Sequence, residues 1–239
     1  GLSDYFQLEG LAYRFVPIKA EKNQNPNIVG NIASDIMYEN VINKFQWGNM
    51  EDTTGAGVYM DENNRRMITN LRLQFSNLAE ELIAEKEEGK ALEILNKCID
   101  VMPEKNAPYD RVMLPLVESY MAMSPRDSLR GGHLLDSTMT LEQRTEAFEN
   151  GKALTRRLFD IFENELEYFY SLEPECARTL QEDMALLVQV NGRMQQVVGF
   201  YAPQDPLVEE LAVRMEQIYQ RFEEKAKELE RRAGKPGDF

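Results

Sequence analysis

Three acidic side chains, Asp160, Glu163 and Glu167, fall on one face of a predicted long helix. Carboxylates held close together can shift each other's pKa and perform general acid–base chemistry. No base or metal ligand accompanies them, because the one histidine, His133, follows a Gly-Gly pair in a predicted loop. We therefore interpret these carboxylates as a solvated acidic face and predict no catalytic residue in the chain.

The residue types that bind metals and cofactors are also scarce. A zinc site needs clustered cysteine and histidine ligands, whereas Cys98 and Cys176 are far apart in the sequence. The glycines in "GAG" at 55–57 are too few for a dinucleotide fingerprint and predict a flexible turn. We predict no metal and no cofactor. Cys98 lies on an apolar helical stripe, which favours a buried free thiol over a disulfide.

Composition limits the classes of partner. Lys and Arg number 27 and Asp and Glu number 41, giving a net charge of −14. An acidic chain lacks the basic face of a nucleic-acid binder and is repelled by an anionic membrane surface. No apolar run approaches the roughly 18 residues of a membrane span. The chain begins at Gly1 rather than Met, so we expect a piece of a longer protein.

The stretch "NKFQWGNMEDTTGAGVYMDENNRRM", residues 43–67, contains the only tryptophan and a polar cluster. One interpretation is structural: Asp61 caps a helix, and Phe45 and Trp47 pack the lead-in against it. The other interpretation is a contact patch for a partner. Its candidate residues are Trp47, Asn63, Asn64 and Arg65.

A second candidate contact is a small basic island, Arg126 and Arg130, within the segment 124–140. Arginines bind anionic groups well. The segment contains Pro125, Gly131 and Gly132 and is longer than a helix–helix turn requires. We predict that it is mobile or depends on a partner for its structure.

Apolar spacing predicts the helices that position these residues. An antiparallel hairpin is predicted from 61–86 and 90–102, ended by Pro103. The predicted apolar stripes are Met67, Leu71, Phe75, Leu78 and Leu82 in the first helix, and Ala91, Leu95, Cys98 and Met102 in the second. Ala79 and Ala91 are the small residues that let the two helices approach closely. This hairpin resembles a tetratricopeptide repeat.

Further helices are predicted downstream. One begins near Pro108 and buries Met113, Leu116, Val117 and Tyr120; a long one runs from about Leu141 to Leu172. The next carries Asn191 on an apolar stripe, where we expect a hydrogen-bonded core amide. Asp205 and Pro206 begin the last helix. The stripes of the three later helices are Leu154, Leu158, Phe162, Leu166 and Phe169, then Leu180, Met184, Leu187, Met194, Val198 and Tyr201, then Leu207, Leu211, Met215, Ile218 and Phe222.

The sequence therefore predicts a mostly α chain of stacked antiparallel helix pairs, a tetratricopeptide-like solenoid or bundle. The segment "GLAYRFVPI", residues 10–18, alternates like a short strand. We assign 1–60 to an irregular or β lead-in packed on the helices, and 61–239 to the helical domain.

Several segments together resemble one family: "DYFQLEGLAYRFVP" (4–17), "NKFQWGNM" (43–50), "VYMDENNRRM" (58–67) and "CIDVMPEKNAPYDRVMLPLVESY" (98–120). They are similar to the C-terminal region of multi-pass membrane glycosyltransferases of the protein O-mannosyltransferase-like kind, where a helical tail follows the membrane domain. The resemblance implies a polyprenyl-phosphate-linked sugar donor. It also implies a catalytic acid in the membrane domain, so no catalytic residue is carried over to this chain.

The resemblance implies a non-catalytic accessory domain that recruits the acceptor protein or braces the membrane domain, on the periplasmic side. Its expected partner is a protein and not a nucleic acid. Two alternatives stay open: a free-standing tetratricopeptide-like adaptor, and an enzyme whose site is not evident in the sequence.

Overall fold

The computed structural model describes residues 2–19, 28–125 and 139–233. Within these residues the chain is mostly α, with eight α-helices and one three-stranded sheet near the N-terminus. The predicted mostly α class with a short, strand-containing N-terminal part is confirmed. The chain divides into two compact units, residues 1–147 and 148–239. The lead-in predicted over 1–60 belongs to the first unit, together with the first helices.

The sheet is formed by three short strands, β1 (Phe6–Leu8), β2 (Tyr13–Phe15) and β3 (Asn31–Ile32), in the order β2-β1-β3. β1 pairs antiparallel with β2 and parallel with β3. The strand expected in 10–18 is thus present as β2. Gly30 has a φ of +80°, and a Cβ there would lie 2.0 Å from the Phe6 carbonyl oxygen. Only glycine allows β3 to approach β1 in this way.

Helix α1 (Ser34–Glu39) continues into a π-helical turn (Asn40–Lys44), and an irregular segment leads to α2 (Glu62–Ala84). Asp61 caps α2 as predicted, since its carboxylate accepts a hydrogen bond from the Asn64 backbone N–H at 2.8 Å. Helix α3 (Glu88–Val101) packs back on α2. The predicted hairpin is confirmed, because all the residues expected between its helices are fully buried: Ala79, Leu82, Ala91, Leu95 and Cys98.

The first half of the predicted α2 stripe is wrong. Met67 is 63% exposed and Leu71 is only half-buried, whereas Ile68 and Arg72 are buried. Arg72 occupies the core because its guanidinium donates hydrogen bonds to the carbonyl oxygens of Met102 (3.0 Å), Ala107 (2.6 Å) and Pro108 (3.0 Å). These bonds offset part of the desolvation of the charge, although the buried Arg72 Nε has no hydrogen-bond partner among the described residues. Apolar spacing alone does not reveal a hydrogen-bonded cation at a core position.

Helix α4 (Leu114–Ala122) and the long α5 (Leu141–Ser171) follow. The apolar residues expected around α4 are buried: Met113, Leu116, Val117 and Tyr120. At the start of α5 the Gln143 N–H donates to Thr140 Oγ1 at 3.2 Å, and the Thr140 N–H donates to Gln143 Oε1 at 2.9 Å. This reciprocal pair is a capping box, and it determines where α5 begins.

The second unit contains α5 from residue 148, a short helix α6 (Pro174–Thr179), α7 (Gln181–Tyr201) and α8 (Pro206–Ala233). The Asp205 carboxylate accepts from the Leu207 N–H at 2.9 Å, so it caps α8 as predicted. Helices α7 and α8 are joined by a short turn and pack against each other as an antiparallel pair. The α5 stripe and most of the α8 stripe are buried as expected: Leu154, Leu158, Phe162, Leu166 and Phe169, with Leu207, Leu211, Met215 and Ile218.

One core prediction in α7 is wrong. Asn191 is fully buried, as expected, but neither its amide nitrogen nor its carbonyl oxygen hydrogen-bonds to any residue that the structure describes. Its buried neighbours on α7, among them Val188 and Met194, are apolar. The described residues of this core therefore offer the polar group no partner.

Candidate partner-binding surface

The acidic face of α5 is solvent-exposed, as predicted, since the side chains of Asp160 and Glu167 are 51% and 46% exposed, but its carboxylates also form ion pairs. Arg214 on α8 forms ion pairs with Asp160 and Glu163, both at 2.7 Å, and Arg221 pairs with Glu167. The hydrogen bond to Glu163 raises the pKa of the Arg214 guanidinium above its ordinary value. The two arginines therefore hold these carboxylates in ion pairs between helices.

Further ion pairs extend this seam between α5 and α8. Lys152 pairs with Asp205 at 3.2 Å, and Arg156 pairs with Glu210 at 2.9 Å. Higher residue numbers on α5 pair with higher residue numbers on α8, so the two helices run parallel. The ion pairs therefore hold the two helices in register.

Cys98 is a free, fully buried thiol, as predicted. Burial raises its pKa to about 12, and the nearby Arg72 charge only partly opposes that rise. A thiol in this state is a poor nucleophile, because the reactive species is the thiolate. Cys176 is free and exposed. No group of three or more His, Cys, Asp or Glu side chains is placed to hold a metal ion within 2–19, 28–125 and 139–233.

Trp47 has a packing role. Its ring lies 5.4 Å from that of Phe75 on α2 and 6.0 Å from that of Phe45. Phe75 follows Asn63 by about 18 Å along the helix axis, at about 1.5 Å per residue. The structure thus places Trp47 at the middle of α2, away from the other candidate contacts at its start, and supports the structural interpretation for this residue.

The glycine-rich loop before α2 is held by two residues from the end of the α2–α3 hairpin. The buried Asn106 accepts a hydrogen bond from the Val58 N–H at 2.9 Å and donates to the carbonyl oxygens of Met50 (2.7 Å) and Asp52 (2.8 Å). Lys105 donates to the carbonyl oxygens of Thr53 (2.6 Å) and Gly55 (2.8 Å). Residues 55–57 lie in a turn, as predicted, but these bonds fix its path into α2, in contrast to the flexible turn that the sequence predicted.

Beyond this clamp, several side chains are exposed at the start of α2 and just before it, and we call this set the α2 tip: Tyr59, Asn63, Asn64, Arg65 and Met67. Tyr59 is 85% exposed and Met67 is 63% exposed. The three polar residues between them are exposed as well. Arg66 differs from its neighbour Arg65 because it pairs with Glu62 at 2.5 Å. The α2 tip therefore combines a phenol ring, a thioether, two amides and a guanidinium.

The sequence anticipated three of these residues and missed two. Tyr59 and Met67 were not among the candidates, since Met67 fits an apolar stripe at helical spacing. A signal was present in the alternative stripe that begins at Ile68, since Ile68, Phe75 and Leu82 also follow helical spacing and are buried. The other candidates, Arg126 and Arg130, and also His133 and most of the segment 124–140, lie outside the described residues.

Comparison with known proteins gives no relative: no family model, curated protein or solved structure matches the chain. Among the helices in the described part of the chain, none combines the length and the apolar character needed to cross a membrane.

Proposed function

We propose that this chain is a non-catalytic protein-interaction domain of a membrane glycosyltransferase-like protein. In this role it recruits the acceptor protein or braces the membrane domain, on the periplasmic side. The α2 tip is the observation that carries the proposal. The resemblance of most of residues 4–120 to the tails of O-mannosyltransferase-like proteins supports the choice of parent.

The α2 tip suits protein recognition because its side chains are presented from a constrained backbone. The Asp61 cap fixes the first turn of α2, and Asn106 fixes the approach to it. A surface held in advance loses less conformational entropy when it binds. Its composition is also suitable, since tyrosine, methionine and arginine are enriched at protein interfaces.

The proposal is tested by measuring how the purified chain binds the membrane domain of its parent and the acceptor protein. Replacing Tyr59 and Arg65 together by alanine should weaken binding by at least about thirtyfold, which corresponds to the roughly 2 kcal/mol of one interface hot spot. The matched control is Arg66→Ala, which removes an adjacent arginine that is already paired with Glu62. Equal losses in the double variant and the control would refute the role of the α2 tip.

A second measurement tests the non-catalytic character. The isolated chain, mixed with a polyprenyl-phosphate-linked sugar and the acceptor, should transfer no sugar. Transfer by this chain alone would overturn the proposal and favour an enzyme. The full-length reading frame separates the proposal from a free-standing adaptor, since only the former has a multi-pass hydrophobic region upstream.

A further inference from the structure

Among the described residues, the outer edge of β2 has backbone groups without hydrogen-bond partners. Toward β1, the Val16 N–H donates to the Tyr5 carbonyl at 2.8 Å, and the Glu9 N–H donates to the Ala12 carbonyl at 3.3 Å. Since hydrogen-bonding direction alternates along a strand, the N–H and C=O groups of Tyr13 and Phe15 point away from β1. β2 is the end strand of the sheet among the described residues. Its outer edge therefore offers two donors and two acceptors to another strand.

The apolar face of the sheet continues beyond the core at this edge. Leu8 and Tyr13 are paired across β1 and β2 and share one face, yet Leu8 is 2% exposed and Tyr13 is 44% exposed. Phe15, paired with Phe6, is 55% exposed. The Phe6 ring lies 6.2 Å from Tyr13 and 5.9 Å from Phe15, which makes an aromatic ledge. Tyr13 and Phe15 therefore lie on the same face of the sheet as the buried Leu8 but remain exposed to solvent.

The charges beside this ledge are arranged with the cation outermost. Arg14 lies between the two aromatic residues, on the opposite face of β2. Its side chain is 66% exposed, while that of its ion-pair partner Glu9 is 14% exposed. Lys19 and Asp4 repeat the arrangement, at 67% and 23% exposed. An incoming strand therefore meets a cation on one face and aromatic rings on the other.

We propose that the outer edge of β2 docks an extended segment of a partner protein that adds a fourth, antiparallel strand. The segment has the pattern apolar–acidic–apolar. Its apolar side chains cover Tyr13 and Phe15, and its carboxylate faces Arg14, because directly opposed residues share a face.

A second copy of this chain fits the edge poorly. The symmetric pairing that uses all four backbone groups of Tyr13 and Phe15 places Arg14 opposite Arg14 of the second copy, and directly opposed like charges are destabilising. It also brings together two bodies that each carry a net charge of −14. The inference rests on the small sheet and the charges beside it, and it does not depend on the glycosyltransferase assignment.

The test uses a fluorescein-labelled peptide, acetyl-Thr-Val-Glu-Val-Thr-amide, titrated with the full chain and followed by fluorescence anisotropy. It should bind saturably. Methylating the backbone nitrogens of both valines removes the donors without changing the side chains, and should weaken binding by about tenfold, since each hydrogen bond accounts for about two- to tenfold. Replacing the glutamate by lysine should also weaken binding.

Two variants test the edge from the protein side. Phe15→Pro removes an outward N–H that β1 does not use, and Phe15→Ala removes the same ring while keeping that N–H. Phe15→Pro should therefore bind the peptide at least about threefold more weakly than Phe15→Ala. Far-UV circular dichroism checks that each variant is folded. If a variant is unfolded, the comparison of methylated and unmethylated peptides on the wild-type chain still tests the backbone hydrogen bonds.

The proposal is overturned by any of three results. These are no binding at millimolar peptide, equal binding of the methylated and unmethylated peptides, and a wild-type dimer in sedimentation that Phe15→Pro dissociates. The last result would assign the edge to a second copy.

Discussion

Replacing Asn191 by leucine should stabilise the unit formed by residues 148–239. Asn191 is 0% exposed, and its two polar side-chain atoms have no hydrogen-bond partner among the described residues. Leaving a buried polar group unsatisfied costs about 1–3 kcal/mol. Leucine has the same number of non-hydrogen side-chain atoms in the same branched arrangement, so the penalty is removed with little overpacking. The expected gain in the free energy of unfolding is therefore about 1–3 kcal/mol.

The matched control is the same substitution at an asparagine that has partners. Asn96 accepts a hydrogen bond from Tyr120 Oη at 2.9 Å and donates one to Glu146 at 2.8 Å. Asn96→Leu leaves the buried Tyr120 hydroxyl without that acceptor, so it should destabilise the protein by about 1–3 kcal/mol. The two substitutions should thus change stability in opposite directions.

Urea denaturation followed by far-UV circular dichroism measures both effects. With a slope of about 2 kcal/mol per molar urea, the midpoint of the transition of residues 148–239 should rise by about 1 M in Asn191→Leu, at unchanged slope. A midpoint that falls in Asn191→Leu, as it is expected to fall in Asn96→Leu, would show that Asn191 is hydrogen-bonded in solution, and would refute the reasoning.

Two further predictions concern the first unit. Leu95→Ala should lower the free energy of unfolding by about 2–5 kcal/mol, because Leu95 is fully buried in the α2–α3 hairpin. The control Leu141→Ala, at a residue that is 69% exposed, should change it by less than about 0.5 kcal/mol. Similar urea midpoints for the two variants would contradict the burial of Leu95 in the hairpin. Cys98 makes stability depend on pH: its folded pKa is about 12 against an ordinary 9.0, so between these values only the unfolded chain loses the proton, and rising pH favours unfolding. Wild type should therefore lose about 1.4 kcal/mol per pH unit more than Cys98→Ala above pH 9, and equal slopes would show that the thiolate forms as readily in the folded state.

Much of the helical framework could be predicted from the sequence, because it depends on contacts between near neighbours. A cap acts within three residues, so Asp61 and Asp205 marked the starts of α2 and α8. Helical spacing identified the face of the α2–α3 hairpin on which Ala79 and Ala91 are buried. Of the candidate site, Asn63, Asn64 and Arg65 were predicted from their polarity at a helix start.

The tertiary structure decided which polar side chains have hydrogen-bond or ion-pair partners, and which groups those partners are. Arg72 lies in the core because carbonyl groups at least 30 residues away surround it. Asn106 holds the loop before α2 through hydrogen bonds to residues as far as 56 positions away in the sequence. Glu163 pairs with Arg214, which is 51 positions away. Spacing along the chain shows which face of a helix is buried. It does not show which groups from other elements meet that face, and those groups determined the partners of Arg72 and Glu163 and left Asn191 with none among the described residues.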